Sequence, residues 1–317
     1  MKGNGIMYIA DMENGVRAEG FYLLSGAVSR ISNNGRPYLS MTLQDVSGTI
    51  DGKVWDYGGP VGEADVGKVV KLRGQVSEYR GQLQFTVERI RLAGEQDEYA
   101  PEDLVPAAPL DADAAFEELK EIVGSIEDAD YAAVANEMLR RHADRLRDIP
   151  AAKSVHHAFL HGLLMHTLNM LRLADTLAAL YYDTVDRSLL LTGTLCHDLA
   201  KESEFVFSPM GLAVDYSVKG QLLGHLVMGA QEAAEVCRTL DTPEEKSVLL
   251  QHMILSHHGE PEFGAAVVPQ CAESELLSYI DLIDSRMEIY RETLAELNPG
   301  QFSPRVFALE HKVYRHG

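Results

Sequence analysis

Several things are scarce in this chain, and each scarcity excludes something. Only three of the 317 residues are cysteine, one is tryptophan, and 7% are aromatic. Cys196, Cys237 and Cys271 are odd in number and form no C-x-x-C pair, which speaks against a disulfide framework and against a cysteine zinc site. No apolar run approaches the ~20 residues needed to span a bilayer. The opening MKGNGIMYIADMENG has no continuous apolar core like that of a secretory leader. A soluble, cytoplasmic protein without a membrane partner is expected. Positive charge is also short: 28 Lys and Arg face 48 Asp and Glu, a net charge of −20. Phosphate binding rests on Lys and Arg, so this balance speaks at first against nucleic acid. Its distribution softens the objection. Residues 17–94 hold ten basic and eight acidic residues, whereas 95–150 hold five and sixteen, and 151–317 hold twelve and twenty-two. The first block is mildly basic and compatible with nucleic acid.

The length has room for about two domains, and the hydrophobic period changes once along the chain. Over residues 17–94 it is two. RPYLSMTL places Leu39, Met41 and Leu43 on one face and Tyr38, Ser40 and Thr42 on the other. TIDGKVWD turns Ile50 and Val54 inward and Asp51, Lys53 and Trp55 outward. VVKLRGQV buries Val70, Leu72 and Val76, and QLQFTVE sends Leu83, Phe85 and Val87 one way. Turn signals at NNG (33–35), VSG (46–48) and YRG (79–81) separate the strands. Five short strands, with a break at GGPVGEADVG after the third, predict an all-β barrel of the OB type. Residues 95–112 are acidic and proline-rich without periodicity, the composition of a linker. From 113 to 317 the period is helical, in seven segments, and predicts an all-α domain.

Within LTGTLCHDLAKE (191–202) the segment otherwise reads as a buried helix, yet it carries His197 and Asp198. An unpaired carboxylate there is strongly disfavoured. Nine of the twelve histidines fall between residues 156 and 258. His166 shares a stripe with Leu163, Met170 and Leu177. His225 follows Leu222 and precedes Met228 at similar spacing. His257 and His258 end a helix before Gly259, where the carbonyl end favours a cation. Asp281 lies one turn after Leu277. Singly, each has a structural explanation: a core histidine with a hydrogen bond, a solvated helix end, an Asp281–Arg286 pair. Together, several inward polar groups on different helices need a common partner, and a divalent metal supplies one. Imidazole and carboxylate suit Mn, Fe, Zn or Ni. Asp198 would then have one oxygen for each of two ions.

The order His166, His197-Asp198, Asp281 resembles the H…HD…D signature of HD-domain metal-dependent phosphohydrolases, and His225 with His257-His258 resembles the members that hold two metals. HHAFLHGLLMHTLNMLRLA, HDLAKESEF, GQLLGHLVMG, LQHMILSHHGEPEFG and LLSYIDLIDSRM resemble one subfamily, the YhaM-type 3′→5′ exoribonucleases, in which an OB-fold precedes the HD domain. The likeness runs from about residue 17 to RVFALEHKVYR near the end. It implies metal ligation by His166, His197, Asp198 and Asp281, with His225, His257 and His258 around a second ion, manganese being the metal implied. Lys201 matches the lysine of the HDxxK pattern, where an ammonium could hold a scissile phosphate. His161 departs from the family, which often has glycine there, and His156 and His157 match positions given at most a substrate or supporting role.

The reaction expected is hydrolysis of phosphodiester bonds in single-stranded RNA from the 3′ end, releasing nucleoside 5′-monophosphates, with Asp198 and Lys201 as catalytic residues and two ions clamping the attacking and leaving oxygens. On the barrel, Tyr38, Lys53, Trp55, Arg73 and Arg80 are the candidate strand-binding residues, with Arg36 nearby. Trp55 could equally plug the barrel. Other readings are a nucleotide phosphohydrolase with a regulatory OB domain, and a non-catalytic single-strand-binding module with structural metals. A cyclic-dinucleotide phosphodiesterase of the HD-GYP kind is disfavoured because GEPEFGAAVVP after His258 contains no GYP. The sequence does not choose RNA over DNA, and it leaves a homo-oligomer open.

Overall fold

The computed structural model describes residues 7–32, 34–79, 81–94, 96–152, 159–208 and 210–317. Two compact units divide between Ala107 and Ala108, with Ser208–Gly211 counted in the first. The first is a closed barrel of β1 (Arg17–Ile31), β2 (Pro37–Asp45), β3 (Gly48–Trp55), β4 (Val69–Tyr79) and β5 (Gln82–Leu92), in spatial order β1-β2-β3-β5-β4. All neighbours are antiparallel except β3 and β5, and β1 closes against β4. The alternation read from sequence holds on the inner face: Leu39, Met41, Leu43, Ile50, Val54, Val70, Leu72, Val76, Phe85 and Val87 are buried in one cluster. Leu83 departs from its stripe and is exposed. It lies in the second residue of β5, beside the tight turn, before the strand reaches the barrel interior.

Within the acidic stretch 95–112, linker-like in composition, the described residues have structure of their own. Asp103 accepts the Tyr8 hydroxyl at 2.6 Å and its carbonyl accepts Val46 N at 2.9 Å, while Leu104 and Val105 are buried.

The second unit is built from α1 (Ala112–Gly124), α2 (Ala129–Asp148), α3 (Gly162–Leu180), α4 (Arg187–Cys196), a single turn α5 (Lys201–Glu204), α6 (Val218–Thr239), α7 (Glu244–Ser256) and α8 (Ala272–Ala295). Aspartate caps recur at the helix starts. Asp111, Asp128 and Asp186 accept backbone amides of the first turns of α1, α2 and α4, each satisfying donors that no helical carbonyl can reach. Every residue from Ser188 to Cys196 is buried, so α4 is the central helix, packed among residues such as Leu164, Leu168, Met253 and Leu277. Two hairpins invisible to periodicity decorate the helices: β6 (Phe205–Phe207) with β7 (Ala213–Tyr216), and β8 (Phe302–Val306) with β9 (His311–Tyr314).

Gly74 shows how tightly the barrel is closed. The β4–β5 register shifts between Arg73 and Gly74, and a Cβ at Gly74 would collide with the Thr86 carbonyl and lie 2.9 Å from Val87 Cα. Those atoms are backbone and cannot swing aside. Gly74→Ala is expected to destabilise the barrel by about 2 kcal/mol or more, the cost of overpacking a closed core. Trp55, the single tryptophan, sits on this barrel, so its fluorescence in a urea titration reads that unit. A variant midpoint equal to wild type would contradict the close approach.

Candidate active site

The histidine and aspartate side chains converge because three helices end or break where they meet. α4 stops at Cys196 and the chain turns through 197–200, leaving His197 and Asp198 at its carbonyl end. α7 stops at Ser256 and presents His257 and His258 in the same manner. α6 is interrupted at Gly224, whose φ of +71° and ψ of 161° are open to glycine and costly for other residues. The break restarts the helix at His225. It also explains why Leu222, placed by periodicity on the stripe of His225 and Met228, is 77% exposed while those two are buried. α3 and α8 contribute His166 and Asp281 from their flanks, as the helical spacing predicts.

Asp198 lies at the centre and is 2% exposed. Its Oδ2 is 3.2 Å from His197 Nε2, 3.6 Å from His166 Nε2 and 2.6 Å from Lys201 Nζ. Its Oδ1 faces the other way, 3.4 Å from His225 Nε2 and 3.8 Å from His257 Nε2. Asp281 Oδ1 approaches His166 Nε2 at 3.5 Å, and the two nitrogens His166 Nε2 and His197 Nε2 are 3.3 Å apart. Two groups result, His166-His197-Asp198 and His225-His257-His258, each with potential ligand atoms within 4.8 Å of one another.

The outer nitrogens determine which inner ones are lone pairs. His197 Nδ1 lies 2.7 Å from the Thr194 carbonyl and His257 Nδ1 2.8 Å from the Ile254 carbonyl. A carbonyl only accepts, so both Nδ1 atoms donate, and whenever these rings are neutral the inward Nε2 atoms are the acceptors. His166 Nδ1 pairs with Asp284 Oδ2 at 2.7 Å, and Asn169 Nδ2 steadies that carboxylate by donating to Oδ1 at 3.0 Å. His225 Nδ1 sits 3.1 Å from both oxygens of Glu204, whose Oε1 also accepts His225 N at 3.0 Å. Carboxylate or carbonyl partners behind imidazoles are the usual arrangement of metal-holding histidines.

Electrostatics point the same way. Burial works to raise the Asp198 carboxyl, yet Lys201 and His197 hold it well below the usual carboxylate range. Burial and the neighbouring His197 and His258 push His257 well below its ordinary value, and burial lowers His258. Burial also acts to lower His197, but Asp198 beside it raises it. Asp198 Oδ1, His225 Nε2 and His258 Nδ1 are buried without a hydrogen-bond partner among the described residues. An array of nitrogen acceptors around a carboxylate oxygen, with buried polar atoms unsatisfied, fits divalent cations of the borderline kind.

Lys201 and Glu204 share the one-turn α5, which is held from outside by His142. Its Nδ1 and Nε2 lie 3.0 and 3.2 Å from Glu202 Oε2 and Glu232 Oε2, ion-pair distances without hydrogen-bond alignment. Burial acts to lower His142, but the two carboxylates bring it up to about 9. His161 stands at the entry to α3 with φ of +61°, in the left-handed region. That backbone conformation favours glycine, and here the His161 Nδ1 atom lies 2.6 Å from the Arg147 carbonyl. His156 and His157 lie outside the described residues.

On the barrel, Tyr38 and Trp55 are cross-strand partners with ring centroids 4.8 Å apart at 33°. Lys53 Nζ is 5.7 Å from the ring centres of both Trp55 and Tyr79. Trp55 is 50% exposed and does not plug the barrel. Tyr38 and Lys53 line a cavity of about 410 Å³ with Arg30, Ser40 and Asp51. Arg73 is not part of this group: it lies 3.7 Å from Glu88 and lines a separate cavity on β4 and β5. Arg80 lies outside the described residues. Sequence reasoning missed Asp284, Asn169 and Glu204. Asp284 and Asn169 were accessible, one turn beyond Asp281 and His166 respectively, on the same helix faces; Glu204 reaches His225 only through the Gly224 break.

Residues 22–93 match the family described as OB-fold nucleic acid binding domain, and residues 163–286 match the HD domain family. The chain is 34% identical over 311 residues to the 3′-5′ exoribonuclease YhaM of Listeria innocua, covering 96% of this chain and 97% of that protein. It is 34% identical over 304 residues to the 3′-5′ exoribonuclease YhaM of Bacillus velezensis, covering 95% of each. Among solved structures, the second OB-fold domain of replication protein A from Methanococcus maripaludis aligns with a TM-score of 0.22 and 16% identity, over 30% of this chain and 98% of that domain. An OB barrel, an HD helical domain carrying a buried histidine–aspartate cluster, and identity at this level along nearly the whole length establish that the chain belongs to the YhaM exoribonuclease family.

Proposed function

We propose that this protein hydrolyses single-stranded RNA from the 3′ end to nucleoside 5′-monophosphates with two divalent ions, manganese first among them, that the residues around Asp198 would hold. The observation that carries the proposal is the division of the Asp198 carboxylate: Oδ2 faces His166 and His197, and Oδ1 faces His225 and His257. His166, His197, Asp198 and Asp281 would hold one ion, and His225, His257 and His258 with Asp198 the other. Bound there, the ions would supply positive charge for the phosphoryl oxygens and lower the pKa of an attacking water.

The protein's own groups do the rest. Asp284, Glu204 and the carbonyls of Thr194 and Ile254 hold four imidazoles with Nε2 inward, so no reorganisation is needed when the ligands engage. Lys201 keeps an ammonium beside Asp198, where burial acts to lower it but Asp198 holds it above its ordinary value. It remains a cation that can donate to a phosphate oxygen. No cysteine or serine nucleophile is required. Tyr38 and Trp55 offer a stacking platform for bases, with Lys53 beside them for a phosphate. No helix among the described residues is long and apolar enough to cross a membrane, and the cytoplasm is the compartment that an RNA substrate suggests.

Asp198→Asn should lower hydrolysis of 5′-labelled RNA in Mn²⁺ by at least about 100-fold, with helix content by circular dichroism unchanged. A wild-type rate in the variant would remove Asp198 from the reaction. Activity of the wild type on free nucleotides alone would transfer the proposal to a nucleotide phosphohydrolase. Asp284→Asn keeps the shape behind His166 but loses the charge. Its affinity for Mn²⁺, followed by the metal-dependent rise in thermal midpoint, should fall about 10- to 100-fold, and unchanged affinity would show that the carboxylate only fills space.

A further inference from the structure

Outside the histidine cluster, one surface of the barrel is arranged against its own charge. In the antiparallel β4–β5 ladder, Lys71 stands opposite Arg91 and Arg73 opposite Arg89. Residues two apart on a strand share a face, so four cations form a square on one outer side of the barrel. Like charges directly opposite destabilise a ladder, and this chain carries 48 acidic residues from which partners could have been drawn.

Acidic neighbours answer the square only in part. Asp97 takes Arg91 with two hydrogen bonds of 2.6 and 2.7 Å. Glu88 is 2.6 Å from Arg17 and only 3.7 Å from Arg73, and Glu19 is 3.9 Å from Lys71. Arg89 is exposed and has no ion-pair partner among the described residues. The square borders a cavity of about 600 Å³ that includes Tyr57, and it shares no lining residue with the cavity beside Tyr38 and Lys53.

We infer that the barrel carries two chemically separate RNA surfaces, the Tyr38–Trp55 platform for bases and a guanidinium surface of Arg73 and Arg89 that takes the phosphodiester backbone of the same strand beyond the nucleotides on the platform. The inference rests on the exoribonuclease reading and adds a length requirement to it. Charge complementarity selects the occupant: guanidinium forks pair with phosphate oxygens, and a backbone presents them in series. A short RNA can occupy one surface; a longer one reaches both.

The test compares wild type, Arg73→Ala/Arg89→Ala and Arg73→Lys/Arg89→Lys as full-length, Mn²⁺-loaded enzymes. Substrates are RNAs of about 4 nucleotides, near the lower site size of one OB fold, and about 20 nucleotides. For the alanine pair, KM on the long RNA should rise about tenfold with kcat within about twofold, and KM on the short RNA should stay at its wild-type value. The slope of log KM against log salt on the long RNA should fall by about 1.4, the single-strand value for two phosphate contacts. The lysine pair should keep most of that slope. Equal losses on both lengths, or an unchanged salt slope, would overturn the second surface while leaving the exoribonuclease reading in place. A wild type that degrades neither RNA but cleaves free nucleotides would instead overturn the reading itself, and this inference with it. Trp55 fluorescence in urea confirms that each variant barrel is folded; a lost KM effect in a folded alanine pair counts against the proposal.

Discussion

The second unit is organised around one carboxylate that has almost no access to water. Asp198, 2% exposed, must be compensated by charge from within the protein or from an ion it holds. Within the protein, Lys201 offers one close contact, at 2.6 Å to Oδ2. Oδ1 has imidazoles near it but no hydrogen bond among the described residues. That asymmetry distinguishes the cluster from a finished salt-bridge network and suits a divalent cation, and the surrounding helices end or break around it. α4 and α7 end at it with their carbonyl poles, which favour positive charge. α6 is broken so that His225 can enter.

The same constraint explains the outer ring. Holding inward-facing Nε2 atoms requires something to occupy each outer nitrogen, and four different groups do so: two backbone carbonyls and the carboxylates of Asp284 and Glu204. These partners fix ring orientation and protonation together. Glu204 in turn belongs to a four-residue helix that His142 ties to α2 and α6 through Glu202 and Glu232. Removing any one of these braces is expected to loosen a ligand without touching the reacting atoms.

Much of this was legible in the sequence, for reasons that differ from residue to residue. Period-two alternation found the barrel because one face of every strand is buried, and it misread only Leu83, where the strand has not yet entered the barrel. His166 and Asp281 were legible because α3 and α8 are regular helices, so spacing from Leu163 and Leu277 translates into direction. Leu222 misled because spacing carries no meaning across the Gly224 break. Arg73 was grouped with Trp55 because it lies nearby in the strand pattern, and the pattern does not say which side of a closed barrel a residue occupies. The short hairpins after α5 and α8 were hidden since strands of three to five residues have too few repeats to show a period.

The central claim is that Asp198 is shared by two ions. Elemental analysis of the protein after dialysis against Mn²⁺ and removal of excess metal tests it most directly, with Asp198→Asn alongside. Two manganese per wild-type chain, with both lost together in the variant, is the predicted result. A single ion in the wild type, or a variant that keeps its full metal content, would contradict it.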